Sequence, residues 1–256
     1  MTAMADLFSL RGRIALVTGA SSGIGRAMAE ALAEAGAAVA LVARRASALD
    51  DCAKGVVEAG GRAIALACDL TDRAERAAVG GRVQQALGAP DILVNAAGIN
   101  PRRPIDALTA SEWDRTLELN LSVPFFLAQQ LAPAMVARGW GRVLNIASLQ
   151  SVRAFADGAP YGASKGGVVQ LTRAMAQAWS RHGVNCNAIA PGFFPTELTA
   201  PVFEDPRRAQ AIAARTMTGR NGALDDLRGV TVFFASRASD YITGQTLFVD
   251  GGFSAG

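Results

Sequence analysis

Thr18-Gly19-Ala20-Ser21-Ser22-Gly23-Ile24-Gly25 stands between a short apolar run, 13–18, and an alanine-rich stretch, 24–35, whose apolar residues recur at helical spacing. A strand that turns through three glycines directly into a helix opens a βαβ unit. Gly19 allows the tight turn, Gly23 lets a pyrophosphate approach the backbone, and Gly25 lets the helix lie close to the sheet. The unpaired N–H groups and positive end of the helix then face any phosphate placed there. The same turn also serves packing alone, so by itself it leaves cofactor binding open.

Outward from this turn the pattern repeats. Apolar runs at 13–18, 38–43, 62–67, 91–95, 141–147, 184–189 and 246–249 read as strands, and stretches at 24–35, 47–59, 72–87, 111–138, 159–181 and 224–235 read as helices. Such alternation predicts an α/β fold: a doubly wound, seven-stranded parallel sheet with helices on both faces. The run Thr109-Ala-Ser-Glu112 has the form of a capping box that opens the fourth of those helices. No linker divides the chain, so residues 1–256 are expected to form a single dinucleotide-binding catalytic domain. The stretch 193–221 fits neither period and contains Pro195, Pro201 and Pro206; a mobile substrate loop is expected there.

Composition narrows the function classes. Apolar residues are 50% of the 256 and aromatic ones only 6%, a composition suited to close helix-on-sheet packing. The formal charge of +3 comes from arginines scattered along the chain, without the basic stripe of a nucleic-acid binder. Cys52, Cys68 and Cys186 are odd in number and show no C-x-x-C spacing, and His182 is the only histidine, so neither a disulfide framework nor a metal site is indicated. No secretory leader pattern is present, and no run is read as a membrane span; a cytoplasmic setting is expected.

The chain has two tyrosines and two lysines, and one of each, Tyr161 and Lys165, lies four residues apart inside a predicted helix. An i,i+4 pair shares a helix face, so the ammonium favours the phenolate form of a hydroxyl that otherwise titrates near ~10. Tyr161 is therefore a candidate general acid and base, although an ordinary surface pair has the same spacing. Two G-x-S-x-G matches, at Gly19–Gly23 and Gly162–Gly166, raise a hydrolase reading. No acidic residue separates Ser164 from His182, and His182, in Ser-Arg-His-Gly, suits a helix C-terminus better than a base for Ser21.

Taken together, Thr18-Gly-x-x-x-Gly-x-Gly25, Asn95-Ala-Ala-Gly98, Asn120, Ser148, Tyr161-x-x-x-Lys165 and Pro191-Gly192 resemble the short-chain dehydrogenase/reductase family over nearly the whole chain. The resemblance implies a Rossmann-like sheet and hydride transfer between a nicotinamide ring and an alcohol or ketone carbon. It implies that Tyr161 exchanges the proton of the substrate oxygen and that Ser148 hydrogen-bonds that oxygen. Lys165 would lower the Tyr161 pKa and bind the nicotinamide ribose, and Asn120 would bend its helix and hold a water leading to solvent. The cofactor surface implied comprises Gly19, Ser21, Ser22, Gly23, Ile24 and Gly25 in the turn; Asp69 and Leu70 by the adenine; Asn95, Ala96 and Gly98 after the fourth strand; Tyr161 and Lys165; and Pro191, Gly192, Phe194 and Thr196 toward the carboxamide. Ala96 stands where many members have a second Asn.

Charge decides the form of the cofactor. NAD-preferring sites end the second strand with a carboxylate for the ribose 2′-OH, whereas here it ends Val42-Ala43-Arg44-Arg45. Ala43 takes the acidic position and Arg44 suits a 2′-phosphate, with Ser21 adding a hydroxyl, so NADP(H) is expected over NAD(H). As solvated loop charges the two arginines would say nothing. The runs 97–104, 148–151, 193–199 and 214–220 are similar to gluconate 5-dehydrogenases within the family. That likeness implies a sugar acid such as gluconate or 5-keto-gluconate, with Arg102 near the carboxylate and Gln150 on hydroxyls. A 3-oxoacyl thioester reductase or a broad carbonyl reductase would share the same tetrad, and a non-enzymatic dinucleotide sensor could retain it. The final run 242–252 resembles the family's last strand, which implies a homotetramer.

Overall fold

The computed structural model describes residues 3–256. A short helix α1 (Met4–Phe8) precedes seven strands: β1 (Ile14–Thr18), β2 (Ala38–Ala43), β3 (Arg62–Ala67), β4 (Ile92–Asn95), β5 (Gly141–Ile146), β6 (Val184–Pro191) and β7 (Thr246–Val249). Their spatial order is β3-β2-β1-β4-β5-β6-β7, and every pairing is parallel. The winding reverses between β1 and β4, where a doubly wound sheet opens a crevice at its carboxyl edge.

Side chains alternate across this sheet into two cores. On β1, Ala15 and Val17 join one cluster and Leu16 the other; on β2, Val39 and Leu41 separate in the same way from Ala40 and Val42. The first core is closed by α2 (Gly23–Glu34), α3 (Ala46–Glu58) and, late in the chain, Phe234 of α10 (Arg228–Ala235). The second is closed by α4 (Arg73–Ala86), α6 (Val123–Ala137) and α7 (Ala159–Trp179). With both faces covered, strands of continuous apolar residues are the expected solution, and each buried Leu or Val contributes about 1.5–3 kcal/mol. Cys52, Cys68 and Cys186 are free thiols buried in these layers.

The predicted strands and helices are present with shifts of one or two residues, apart from three regions: 111–138, 193–221, and 224–235, where Leu224–Leu227 form a 3-10 turn and α10 starts only at Arg228. The stretch expected as one helix at 111–138 is α5 (Ala110–Leu117), a π turn over Glu118–Ser122, and α6. Pro124 has no N–H for the carbonyl of Asn120, and the Val123 N–H reaches back to Glu118, so the register widens there. Thr109 and Glu112 do form the predicted capping box at α5. By length and composition Ala110–Ala137 reaches the apolarity of a membrane-crossing helix, contrary to the expectation that no run would. Here Val123, Leu127, Leu131 and Met135 direct that apolarity into the second core. Finally, the stretch 193–221 contains two short helices, α8 (Ala200–Phe203) and α9 (Pro206–Ala213). Pro201 and Pro206 start these helices, in first-turn positions where a missing N–H costs nothing.

At the amino edge of the sheet a buried arginine ties three elements together. Arg142 of β5 is 1% exposed, pairs with Asp240, and donates to the Ser236 carbonyl at 3.2 Å. Its guanidinium lies 4.5 Å from the centroid of Trp140, whose ring also carries Arg13 at 3.7 Å. Desolvation lowers the Arg142 pKa, and the Asp240 carboxylate opposes that effect. Replacing Arg142 by Ala empties the buried place of its guanidinium and removes its bonds to the Ser236 and Gly141 carbonyls, so urea denaturation should show a loss of about 2 kcal/mol.

Candidate active site

The crevice at the strand carboxyl ends is a cavity of about 830 Å³ that runs from the glycine turn to the start of α7. Thr18 closes β1 with its hydroxyl donating to the Val94 carbonyl and accepting from the N–H groups of Ala96 and Ala97, at 3.0 and 3.1 Å. This hydroxyl pins the turn after β1 to the turn after β4. Gly19 follows at φ 67°, and a Cβ there would stand 2.8 Å from the Ala97 nitrogen. A Cβ on Gly25 would strike the Gly19 carbonyl, so α2 begins as close to the turn as a backbone permits. Gly23, at φ 54°, faces the Thr196 methyl, 3.2 Å from where its Cβ would lie. The result is a narrow backbone cradle, with the N-terminus of α2 aimed at it, which fits the pyrophosphate of a dinucleotide.

Three buried asparagines support this wall from behind. Asn95 donates to Asn145 at 2.8 Å, and Asn145 donates to Thr172 of α7 at 2.9 Å, a ladder from β4 to β5 to the helix. Asn120 sits in the π turn with its amide paired to the backbone of Ile99: Oδ1 accepts from the N–H and Nδ2 donates to the carbonyl, both at 2.9 Å. The same Nδ2 donates to Ser164 Oγ, which donates to the Tyr161 carbonyl. The widened turn thus reaches both the loop after β4 and the first turns of α7.

Tyr161, Lys165 and Ser148 line one end of the cavity. Ser148 ends the extended segment after β5; its Oγ accepts from the Gln150 N–H, and Ser151 Oγ bonds the Lys165 carbonyl at 2.8 Å. Lys165 Nζ lies 5.6 Å from the Tyr161 ring centroid and donates to the Ile146 carbonyl at 2.5 Å. Burial governs both titrations. It pushes the Tyr161 phenol above its ordinary range, against the adjacent Ser148 hydroxyl and Arg102 guanidinium, and it lowers Lys165 to about 8. The tyrosine therefore holds its proton at neutral pH, and what opposes its desolvation comes from Ser148 and Arg102 rather than from Lys165 as expected. Such a phenol can give a proton to a carbonyl oxygen beside it.

The remaining expected residues fall around the same space. Asp69 and Leu70 follow β3, and the Asp69 carboxylate is held below its usual range, first by the Thr71 hydroxyl at 2.7 Å. Gly98, Pro191, Gly192, Phe194 and Thr196 line the wall toward α7, as do Ser21, Ser22, Ile24 and Ala96 nearer the turn. Asn95 and Asn120 stand behind the wall. Arg44 lines the cavity and is exposed. Its neighbour Arg45 is the more tightly held, donating to Ser21 Oγ at 3.1 Å, Ser22 Oγ at 2.9 Å and Glu197 at 2.9 Å. Arg102 has φ 51°, a strained value for a side-chain residue; its N–H meets Asn100 Oδ1 and its guanidinium donates to the Leu198 carbonyl. Gln150 lines the cavity as well.

Sequence reading missed several contributors. Arg45, Arg115, Arg208 and Arg215 also face the space, which holds six arginines and Lys165 against two acids, Asp69 and Glu197. Phe155 adds an apolar wall. Nothing in a single sequence distinguishes these side chains from solvated ones; only Thr18, as the residue opening the glycine motif, carried a readable signal. The hydrolase reading fails on topology: Ser21 lies at the carboxyl edge of β1, whereas His182 precedes β6 at the opposite edge of the parallel sheet.

A family model described as enoyl-(acyl carrier protein) reductase matches residues 19–254. The chain is 43% identical over 249 residues to a gluconate 5-dehydrogenase of Gluconobacter oxydans (strain 621H), covering 96% of each chain. It is 37% identical to a 5-keto-D-gluconate 5-reductase of Escherichia coli (strain K12), covering 97% of this chain and 98% of that one. A crystal structure of a gluconate 5-dehydrogenase from Burkholderia cenocepacia J2315, in complex with NADP and tartrate, superposes with a TM-score of 0.95 at 41% identity, covering 99% of this chain and 100% of the other. With the glycine cradle, the Tyr161–Lys165 pair and these likenesses in agreement, the chain belongs to the short-chain dehydrogenase/reductase family of NAD(P)-dependent enzymes that act on CH–OH groups.

Proposed function

We propose that this enzyme interconverts a sugar acid such as gluconate with its keto form, as in 5-keto-gluconate, using NADP(H) in preference to NAD(H). The observation that carries the reading is a buried Tyr161 beside Lys165 at the end of a cavity lined by six arginines. Such a cavity suits an anionic nucleotide and an anionic substrate together. The two relatives named for gluconate chemistry support the sugar acid, and the neighbour in complex with NADP supports the cofactor.

The nicotinamide nucleotide supplies the hydride. Tyr161 gives its phenolic proton to the substrate oxygen in reduction and takes it back in oxidation. Ser148, whose hydroxyl is fixed by the Gln150 N–H, orients that oxygen. Lys165 holds its charge next to the phenol and faces the ribose, and Asn120 fixes the first turns of α7 through Ser164. Ala43, in place of an acid at the end of β2, together with Arg44 and Arg45, favours a 2′-phosphate. Arg102 and Gln150 face the substrate, Arg102 for a carboxylate and Gln150 for hydroxyls. The stretch 193–221 serves as the moving cover, joined to the rest by contacts such as Arg102 to Leu198 and Arg45 to Glu197. The phenylalanine walls, Phe155 and Phe193, also suit a ketone on an acyl chain, so 3-oxoacyl thioesters belong in the same substrate panel.

A panel of sugar acids, 3-oxoacyl thioesters and simple ketones, run with NADPH and NADH, tests the whole reading. The sugar acids should give the highest kcat/KM, and NADPH should exceed NADH by at least about tenfold; inactivity toward all sugar acids refutes the substrate, and equal cofactors refute the preference. Tyr161→Phe should bind NADPH normally, by fluorescence, yet lose kcat by about 10²–10⁴-fold. Since the phenol is raised and Lys165 is lowered to about 8, reduction should be flat around neutral pH and fall above about 8 as Lys165 loses its charge, and oxidation, which needs the phenolate, should not rise over that window. A homotetramer is part of the proposal, supported by the open edge at β7 with Leu247 exposed and by Phe125 and Phe126 exposed on α6; light scattering should give four times the monomer mass.

A further inference from the structure

Three segments that wall the cavity mouth converge on one ring near the end of the sequence. Phe253 is 3% exposed, and its ring stacks with Phe155 at 6.3 Å and tilts against Phe193 at 5.7 Å. Phe155 follows the Ser148 turn, Phe193 follows β6, and both line the cavity. On the same ring rests the guanidinium of Arg215, 4.4 Å from the centroid. Arg215 comes from the turn after α9, lines the cavity, and pairs with no carboxylate among the described residues.

The ring is held firmly. Asp250 accepts from the N–H groups of Gly252 and Ser254 at 3.0 and 2.9 Å, and Arg153 donates to the Ser254 carbonyl at 3.0 Å. Gly251 and Gly252 take φ values of 63° and 83°, and a Cβ on Gly251 would stand 2.5 Å from Thr218 Oγ1. The Thr218 N–H donates to the Gly251 carbonyl at 3.1 Å. The segment 250–254 and the turn 215–218 therefore behave as one body, with Phe253 beneath and Arg215 above. A guanidinium seated over an aromatic face uses none of its N–H donors on the ring's substituents, which leaves them for a carboxylate.

We infer that Arg215 is a second cation for the substrate carboxylate, and that Phe253 is the positioning residue that holds it at the cavity mouth. This rests on the sugar-acid reading above and adds to it a determinant lying outside the residues expected from the sequence. Acid recognition is then shared between the strained loop at Arg102 and a ring that never meets the substrate.

The test is steady-state kinetics with gluconate, alongside NADPH affinity by fluorescence and thermal unfolding as checks on the cofactor site and the fold. Arg215→Ala, a change at an exposed position, should raise KM for gluconate at least about tenfold with a smaller change in kcat. Phe253→Leu should move KM in the same direction, and the double variant should go no further than Arg215→Ala, because both act through one guanidinium. Unchanged KM in Arg215→Ala overturns the inference even if Phe253→Leu fails to fold. Equal losses of kcat and NADPH affinity in Phe253→Leu, additive with Arg215→Ala, overturn the positioning role. A wild-type enzyme that turns over no sugar acid defeats the functional reading itself, and this inference with it; gluconate turnover that depends on Arg102 and is indifferent to Arg215 defeats only the inference.

Discussion

The structure depends on how closely β1 and β4 approach at the reversal of the sheet. At Gly19 the backbone passes so near Ala97 that only a hydrogen fits, and the Thr18 hydroxyl fastens the two turns across that gap. This proximity sets the width of the crevice, places the start of α2 against it, and leaves the chain after β4 to descend past Gly98 toward α7. A side chain at Gly19 or Gly25 would force these elements apart, and the crevice would no longer match a dinucleotide.

Within the crevice the electrostatics are divided. One end is buried, and there desolvation keeps Tyr161 protonated and weakens the hold of Lys165 on its proton. The rest is open and positive, with arginines drawn from the turn after β2, the loop after β4, α5 and the 193–221 stretch. The separation matters because charge in the open region is screened and suited to recognition, whereas charge in the buried region is costly and suited to the chemistry proposed above.

The sheet was legible because a parallel strand buried on both faces must be short, apolar and β-rich, and the glycine turns mark its ends. Helix boundaries were less so. Ala110–Leu117, the π turn and Val123–Ala137 share one apolar pattern, and only Pro124 hints that the ladder changes register. Pro201 and Pro206 were read as breakers although each opens a helix, because a proline alone does not say whether a helix begins or ends beside it. The tetrad residues stood at recognisable spacing. The choice between Arg44 and Arg45 did not, since adjacent loop residues diverge and the contact to Ser21, Ser22 and Glu197 is tertiary. Arg215 and Phe253 were invisible for the same reason: 38 residues apart in sequence, they meet only in the fold.

The three thiols carry a last consequence. Burial raises Cys52, lifts Cys68 to about 11 and lifts Cys186 to about 12, so almost none of the reactive thiolate exists while the layers stay closed. Oxidants and alkylating agents then act only on molecules that have opened, and the sensitivity of this protein to them becomes a measure of breathing. Cys68, beside the crevice, would sense loosening of its rim, and Cys186, in the middle of β6, would respond only to rupture of the sheet.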